Sequence, residues 1–272
     1  MSGRGYVGGG SIAGILGISP YHTALDVFLT ITEKGDEISD KQRAFFDRRK
    51  ALEPFATKCF EMKTGMIVHE TNMRYSDKEW SWAKAEIDAE TFNDGPKNIE
   101  VKTVNHSSAW MWGDPDMGEE PPMYVVAQVM WGLGITRRDG AYVHALMGLD
   151  DDRIYRVDPD ATLIAEIRDR AAHFWTHHIE KRRMPQPSSL EDVLKLYGRD
   201  TGRAIEASGE VLAAMEARDR AVRKLKLHDT EKMDAELTIK KHMRDAATLT
   251  RNGIVIATWK ANSRGIRVFN CK

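Results

Sequence analysis

Cysteine is nearly missing: among 272 residues there are only Cys59 and Cys271. Two thiols cannot build a disulfide framework, nor can they supply the four thiolates of an iron–sulfur or structural metal site. Long apolar runs are missing too. No stretch approaches the roughly 20 apolar residues of a membrane span. Residues Met1 to Tyr6 lack the charged-then-apolar order of a secretion signal. The expectation is therefore a cytoplasmic protein without a membrane partner. A dominant charge is also absent, the net charge being -1, which does not announce a nucleic-acid binder. The distribution is less even. Arg199 to Lys272 carries 16 basic and 10 acidic residues, which leaves 24 and 31 for the rest. Some of those excess acids are candidate metal ligands, since bound cations would offset them.

Apolar residues are plentiful, at 42%, so the chain can bury a core and disorder is not expected. Its length suits one large domain, or one domain with an appendage. Gly8-Gly9-Gly10-Ser11 precedes a short apolar stretch, with Ser11 as the expected N-cap. Helices are expected over Thr23–Lys34 and Ile38–Lys63, the second ended by Gly65. The period then shortens. Asn72–Tyr75, Trp80–Ala89 and Asn98–Val104 read as strands, with Asp94-Gly95 as the turn before the last. A loop rich in Trp, Gly, Asp and Pro follows, and then a helix from Met123 to Leu133, stopped at Gly134. Gly140–Leu149 and Arg153–Val157 read as strands, and Asp158-Pro159 starts a helix running to about Arg182. Pro185 to Ser189 is the best linker candidate. Beyond it come a charged helix with a sparse apolar stripe (Val211, Met215, Val222, Leu225, Leu237) and a closing hairpin around Asn262 to Gly265.

One constellation carries chemistry: Glu86-Ile87-Asp88, then Glu100-Val101-Lys102. Alternate residues of a strand share a face, so Glu100 and Lys102 point the same way. Asp88, across the turn, can lie opposite Glu100. Two carboxylates from neighbouring strands offer hard oxygens suited to Mg²⁺ or Mn²⁺. A lysine one pleat away can orient or deprotonate a metal-bound water, as phosphodiester hydrolysis requires. Standing alone, Glu-x-Lys on a strand is more often a solvated edge or a cross-strand ion pair. Here the flanking Ile99, Val101 and Val104 give the strand a mixed face.

The surrounding order is more specific. Gly9-Gly10-Ser11, then Leu16-Gly17-Ile18-Ser19-Pro20-Tyr21 and Leu25-Asp26-Val27-Phe28, precede a helix with Glu53-Pro54. Asp88, Glu100-Val101-Lys102 and a helix with Gln128-Val129 follow. From about Arg4 to Arg182 the chain resembles the YqaJ-type viral recombinase and lambda exonuclease family of the PD-(D/E)XK nuclease superfamily. The resemblance implies an α/β (α+β) core with a mixed central sheet flanked by helices. Residues 1–184 would form this core, 185–202 a linker, and 203–272 a basic helical extension with a closing β-hairpin. It implies Asp88, Glu100 and the Val101 carbonyl as metal ligands, with Glu53 completing the site directly or through water. Lys102 would position the attacking water, and Gln128 would orient DNA or water. The family's usual tyrosine, three residues before this glutamine, is Val125 here. Either Tyr124 substitutes from a shifted position or that contact is absent. Gly10 and Ser11 at a helix start, with Arg4, would bind a 5′-phosphate; otherwise Ser11 merely caps a helix and Arg4 is a frayed terminus.

The implied activity is 5′-to-3′ digestion of linear duplex DNA, leaving 3′ overhangs for phage-type recombination in a bacterial host's cytoplasm. The implied cofactor is Mg²⁺, or Mn²⁺ in its place, with two ions per active site. Duplex ends are the implied substrate, a single-strand annealing recombinase the partner, and a homo-oligomer, as a ring-shaped trimer, the assembly. An endonuclease on the same fold and an inactive DNA-binding module are the alternatives. His106, His173, His177 and His178 show no converging ligand spacing. Trp110 and Trp112 suit either base stacking or packing of their loop, and Phe46 is expected in the core.

Overall fold

The computed structural model describes residues 5–32, 39–93, 95–148 and 151–271. Arg4 of the expected phosphate pocket and Asp94 of the expected turn lie outside these residues. The chain divides between Arg199 and Asp200 into two compact units.

The first unit opens with helices α1 (Gly9–Leu16), α2 (Ala24–Thr32) and α3 (Asp40–Thr64). Ser39 and Gln42 close a reciprocal capping box at the start of α3, and Gly65 ends it at φ 70°. Strands β1 (Val68–Ser76), β2 (Lys84–Thr91) and β3 (Lys97–Val104) then form an antiparallel meander. Helix α4 (Met123–Thr136) crosses over to β4 (Gly140–Met147), which pairs parallel with β3, and β5 (Asp151–Val157) returns antiparallel. The five strands follow chain order across one mixed sheet. Helices α5 (Ala161–Phe174) and α6 (Leu190–Tyr197) complete the unit.

Every residue of β4 is buried, as expected of a strand covered on both faces. Its alternate side chains divide between two clusters. Ala141 and Val143 join Ile12, Ile87, Val125, Val129 and Ile167. Tyr142 joins Ile99 and Phe60 of α3. The sheet is thus sandwiched, with α3 on one side and α1, α4 and α5 on the other.

Three boundaries differ from expectation. Gly8, not Ser11, caps α1; Ser11 lies inside its first turn and donates its N–H to the Gly8 carbonyl at 2.9 Å. The glycine run offers no side-chain cap, so the helix starts as soon as the backbone allows. Gly134 does not stop α4, which runs on to an αL cap at Arg137. This glycine serves close approach instead, because a Cβ there would meet Ile164 at 2.9 Å. The third helix boundary moves from Pro159 to Asp160, whose carboxylate accepts from Thr162 and Leu163. Within the segment expected as a linker, α6 is capped by Ser189 and bonded to the core: Thr23 donates to Asp192 at 2.8 Å and Lys195 pairs with Asp26 at 2.6 Å.

The second unit consists of helix α7 (Gly209–Met243) and a three-stranded antiparallel sheet, β6 (Thr248–Arg251), β7 (Ile254–Ala261) and β8 (Arg267–Cys271). Asn252 and Gly253, both at positive φ, make the first turn. Met243 and Ala257 are buried, and the Arg267 guanidinium lies 3.7 Å from the Trp259 ring centroid. Among the described residues no helix is long and apolar enough to cross a membrane.

Candidate active site

The site begins with a fault in the sheet. β1 and β2 pair Thr71 with Ala89 and Met73 with Ile87, but Asn72 between them sits at φ 56° and leaves the place opposite Asp88 unpaired. Asparagine tolerates this left-handed conformation better than most residues. The recorded β2–β3 pairing likewise ends at Ala89 and Ile99, one step short of Asp88 and Glu100. There the Asp88 carboxylate accepts the Val101 N–H at 2.8 Å, so a side chain replaces a ladder bond and is held in place by it.

Glu100 and Lys102 share a face as the two-residue period requires. Lys102 Nζ lies 2.5 Å from Glu100 Oε1 and donates to Gln128 Oε1 at 2.9 Å. Gln128 Nε2 donates back to Glu100 Oε1 at 2.5 Å. Helix α4 delivers Gln128, and α1 braces it: a Cβ on Gly9 would come within 3.0 Å of Gln128 Cγ. Three side chains from one strand and one helix thus close a ring of charge-assisted bonds.

The charges are not balanced around Asp88. Burial, and then repulsion from Glu100, push its pKa up to about 7 against the pull of Lys102 and the Val101 N–H. Glu53 on α3 is raised by burial and by Asp88, with Lys50 opposing. Burial works to lower the Lys102 pKa, but Glu100 and Asp88 overcome it and hold the ammonium above its ordinary value. Glu53, Asn72, Asp88 and Val101 line a cleft of about 340 Å³. Lys102, Gln128, Gly10 and Tyr124 line a neighbouring one of about 730 Å³.

The structure therefore gathers Glu100, Lys102 and Gln128 by direct bonds, Asp88 through Val101, and Glu53 by its electrostatic reach to Asp88. Tyr124 stands one helical turn before Gln128 and faces the same cleft. Its ring meets Tyr21 edge-on at 5.6 Å, and burial together with Tyr21 raises its hydroxyl pKa. Ser11 is buried in α1. Phe46 is not in the core: it is 53% exposed and lines the larger cleft with Phe45. Trp112 is buried, whereas Trp110 is 82% exposed. Arg49 was not anticipated. Its guanidinium bonds the Thr103 carbonyl and hydroxyl and lies over Phe45. The signal was there, since Phe45, Arg49 and Glu53 recur every four residues along one helix face.

A family model described as a YqaJ-like viral recombinase domain matches residues 3–139. The chain belongs to the YqaJ-like family. This YqaJ-like chain is also similar in fold to the alkaline exonuclease from Laribacter hongkongensis. The TM-score is 0.50 at 20% identity, over 65% of this chain and 89% of that one. The same enzyme in complex with dAMP gives a TM-score of 0.50 at 22% identity, with the same coverage. A phage-related exonuclease from Haemophilus somnus gives 0.46 at 14%, over 65% of this chain and 96% of its own. No curated protein matches. The mixed sheet with its flanking helices is the fold that this chain shares with the alkaline exonuclease.

A divalent metal is what the family resemblance implies, so the site can be tested for fit. Among the described residues no three His, Cys, Asp or Glu side chains converge closely enough to hold an ion unaided. Asp88 and Glu100 remain, and they are hard-oxygen donors whose mutual repulsion is the condition a bound cation relieves. The donor set fits a small divalent ion completed by main-chain or water oxygens.

Proposed function

We propose that this chain is a metal-dependent deoxyribonuclease that digests linear duplex DNA from its ends in the 5′-to-3′ direction, leaving 3′ overhangs for recombination. The observation that carries the reading is the joint placement of Asp88, tied to the Val101 N–H, beside the Glu100–Lys102–Gln128 ring. Asp88, Glu100 and the Val101 carbonyl would hold Mg²⁺ or Mn²⁺, with Glu53 reaching it through water and a second ion sharing the acids. An extended residue points its N–H and C=O to the same side, which supports a role for Val101's carbonyl next to Asp88. When bound, the ion would polarise the phosphate and lower the pKa of a water.

The chain's own groups do the rest. Lys102, kept an ammonium by Glu100, orients the attacking water and offers positive charge to the phosphate. Gln128 fixes Lys102 and presents its amide toward the larger cleft. Tyr124 stands where the strand would enter. Gly10, in the first turn of α1, supplies a main-chain N–H for a terminal 5′-phosphate, with Arg4 as its proposed counter-charge. The Ser11 N–H is taken by Gly8, which leaves its hydroxyl as the donor it can offer. The YqaJ-like membership supports duplex ends as substrate, a single-strand annealing recombinase as partner and a homo-oligomeric, ring-shaped assembly.

The test compares three substrates with added Mg²⁺: 5′-phosphorylated linear, 5′-hydroxyl linear and covalently closed circular duplex. Digestion of both linear forms, faster with the phosphate, and sparing of the circle is expected. Rapid cutting of the circle would replace this reading with an endonuclease. Equal rates on the two linear forms would remove the phosphate pocket and leave the cleavage site standing.

A further inference from the structure

Residues 240–272 are strongly basic, with eight lysines and arginines and one acid, Asp245. Two of those cations are engaged within the second unit. Lys240 pairs with Glu236 at 2.6 Å and lies 5.1 Å from the Phe269 ring centroid. Arg267 bonds the carbonyls of Trp259, Arg244 and Ala246 and covers the Trp259 ring. Lys272 lies outside the described residues. The other five, Lys241, Arg244, Arg251, Lys260 and Arg264, are exposed, and their side chains have no partner among the described residues.

The sheet register gathers part of this charge on one side. Arg251 stands opposite Ile254, and Lys260 stands opposite Val268. Alternate residues of β7 share a face, so Arg251, Ile254, Ile256, Lys260 and Val268 lie together, and all five are exposed. Arg251 and Lys260 are roughly 20 Å apart, six residues of β7 at about 3.3 Å each. The turn from Asn262 to Ile266 adds Arg264 at the Lys260 end. Trp259 and Phe269 pair on the opposite face, where Arg267 and Lys240 occupy their rings.

We propose that this face of the β6–β8 sheet binds the phosphate backbone of duplex DNA. Exposed cations without carboxylate partners are free to displace the counterions condensed on a polyanion, and duplex DNA presents one charge per about 1.7 Å. Ile254, Ile256 and Val268, between the cations, suit the sugar rings that separate phosphates. Such contacts carry no sequence information.

The aromatic rings decide against two other polyanions. A single-strand platform stacks bases on exposed aromatics, and an anionic lipid surface is entered by aromatic and large apolar side chains. Both rings of this sheet are turned to the opposite face and covered. The choice of DNA as the polyanion rests on the nuclease reading, whereas the affinity of the face for phosphates does not. Tethered to the nuclease unit, the sheet would hold a duplex at high effective concentration.

Filter binding of the full chain to a covalently closed circular duplex in EDTA tests it, because a circle without ends and a buffer without metal exclude digestion. Arg251→Gln, Lys260→Gln and Arg264→Gln combined should weaken binding about tenfold or more at about 0.1 M salt. The slope of log affinity against log salt should become shallower by about 2.7, three contacts at about 0.9 each. Arg220→Gln, Arg223→Gln and Lys226→Gln combined, on α7, remove the same charge and should weaken binding less than about threefold. Circular dichroism should show both variants folded. A sheet variant that binds like wild type overturns the proposal, as does an α7 variant that loses as much. So does a wild type that binds phosphatidylserine vesicles and not the duplex. Weakened binding by the sheet variant, with linear DNA left undigested by wild type, would sink the nuclease reading and keep this surface. Digestion of linear DNA with binding unchanged in the variant would do the reverse.

Discussion

Two carboxylates stand two residues apart on β2 and meet opposite fates. Glu90 is 1% exposed, and each of its oxygens has a partner. Tyr75 donates to one at 2.5 Å, and Arg138 donates to the other at 2.9 Å while also bonding the Tyr75 hydroxyl at 3.1 Å. The guanidinium further lies over the Phe92 ring at 5.0 Å. Asp88 has one main-chain N–H and a repelling neighbour in Glu100. Glu90 is enclosed, and Asp88 is only partly buried, on the wall of a cleft. They differ in satisfaction as well: the Glu90 cluster is electrically closed, whereas the Asp88 carboxylate keeps an unrelieved repulsion from Glu100. Closed networks hold a fold together, and open ones mark where chemistry takes place.

The comparison breaks first on activity. Lys102→Ala or Asp88→Ala should lower kcat/KM on linear duplex by about a thousandfold or more, roughly 4 kcal/mol of barrier, with the fold retained. Glu90→Gln should keep most of the activity at 25 °C. Similar losses in both clusters, measured on folded protein, would erase the distinction.

Stability should respond the other way. Arg138→Met leaves a buried carboxylate without its counter-charge and should cost about 3–5 kcal/mol in urea unfolding. Lys102→Ala should cost distinctly less, because its ammonium is partly exposed. A milder loss at Arg138 than at Lys102 would reverse the assignment of structural and functional clusters.

The smallest effect sharpens the point. The Asp88 pKa is raised in the folded protein, to about 7, so ionising this group opposes folding. The penalty is absent near pH 4, grows as pH rises, and is complete above about pH 7. Without metal, Asp88→Asn should stabilise the protein at pH 8 on the order of 1–2 kcal/mol, after allowance for solvent screening. That gain should fade by pH 4. A gain independent of pH would show that Asp88 charge is not its source.

Much of this was legible before the structure. The Glu-x-Lys period placed Glu100 and Lys102 on one face, and the turn at Gly95 brought Asp88 alongside. What period cannot show is where a ladder breaks. Asn72 reads as an ordinary strand residue, and only its φ of 56° reveals why Asp88 is free to turn to Val101. Phe46 was misplaced because hydrophobicity predicts burial only on average; the rim of a cleft is where such averages fail. Helix α6 escaped notice because Pro185 to Ser189 dominates the local pattern, while the bonds that hold the helix run to Thr23 and Asp26, far away in sequence.

The pairing of β3 with two different neighbours has a consequence in time. Its antiparallel contact with β2 spans a short hairpin, whereas its parallel contact with β4 must wait for α4 to cross the sheet. Short loops close early and long crossovers late. On loop length alone, Asp88 and Glu100 are expected to come together before Gln128 reaches Lys102. The expected consequence is that the ring of Glu100, Lys102 and Gln128 closes last, after the acids of the two strands are already side by side.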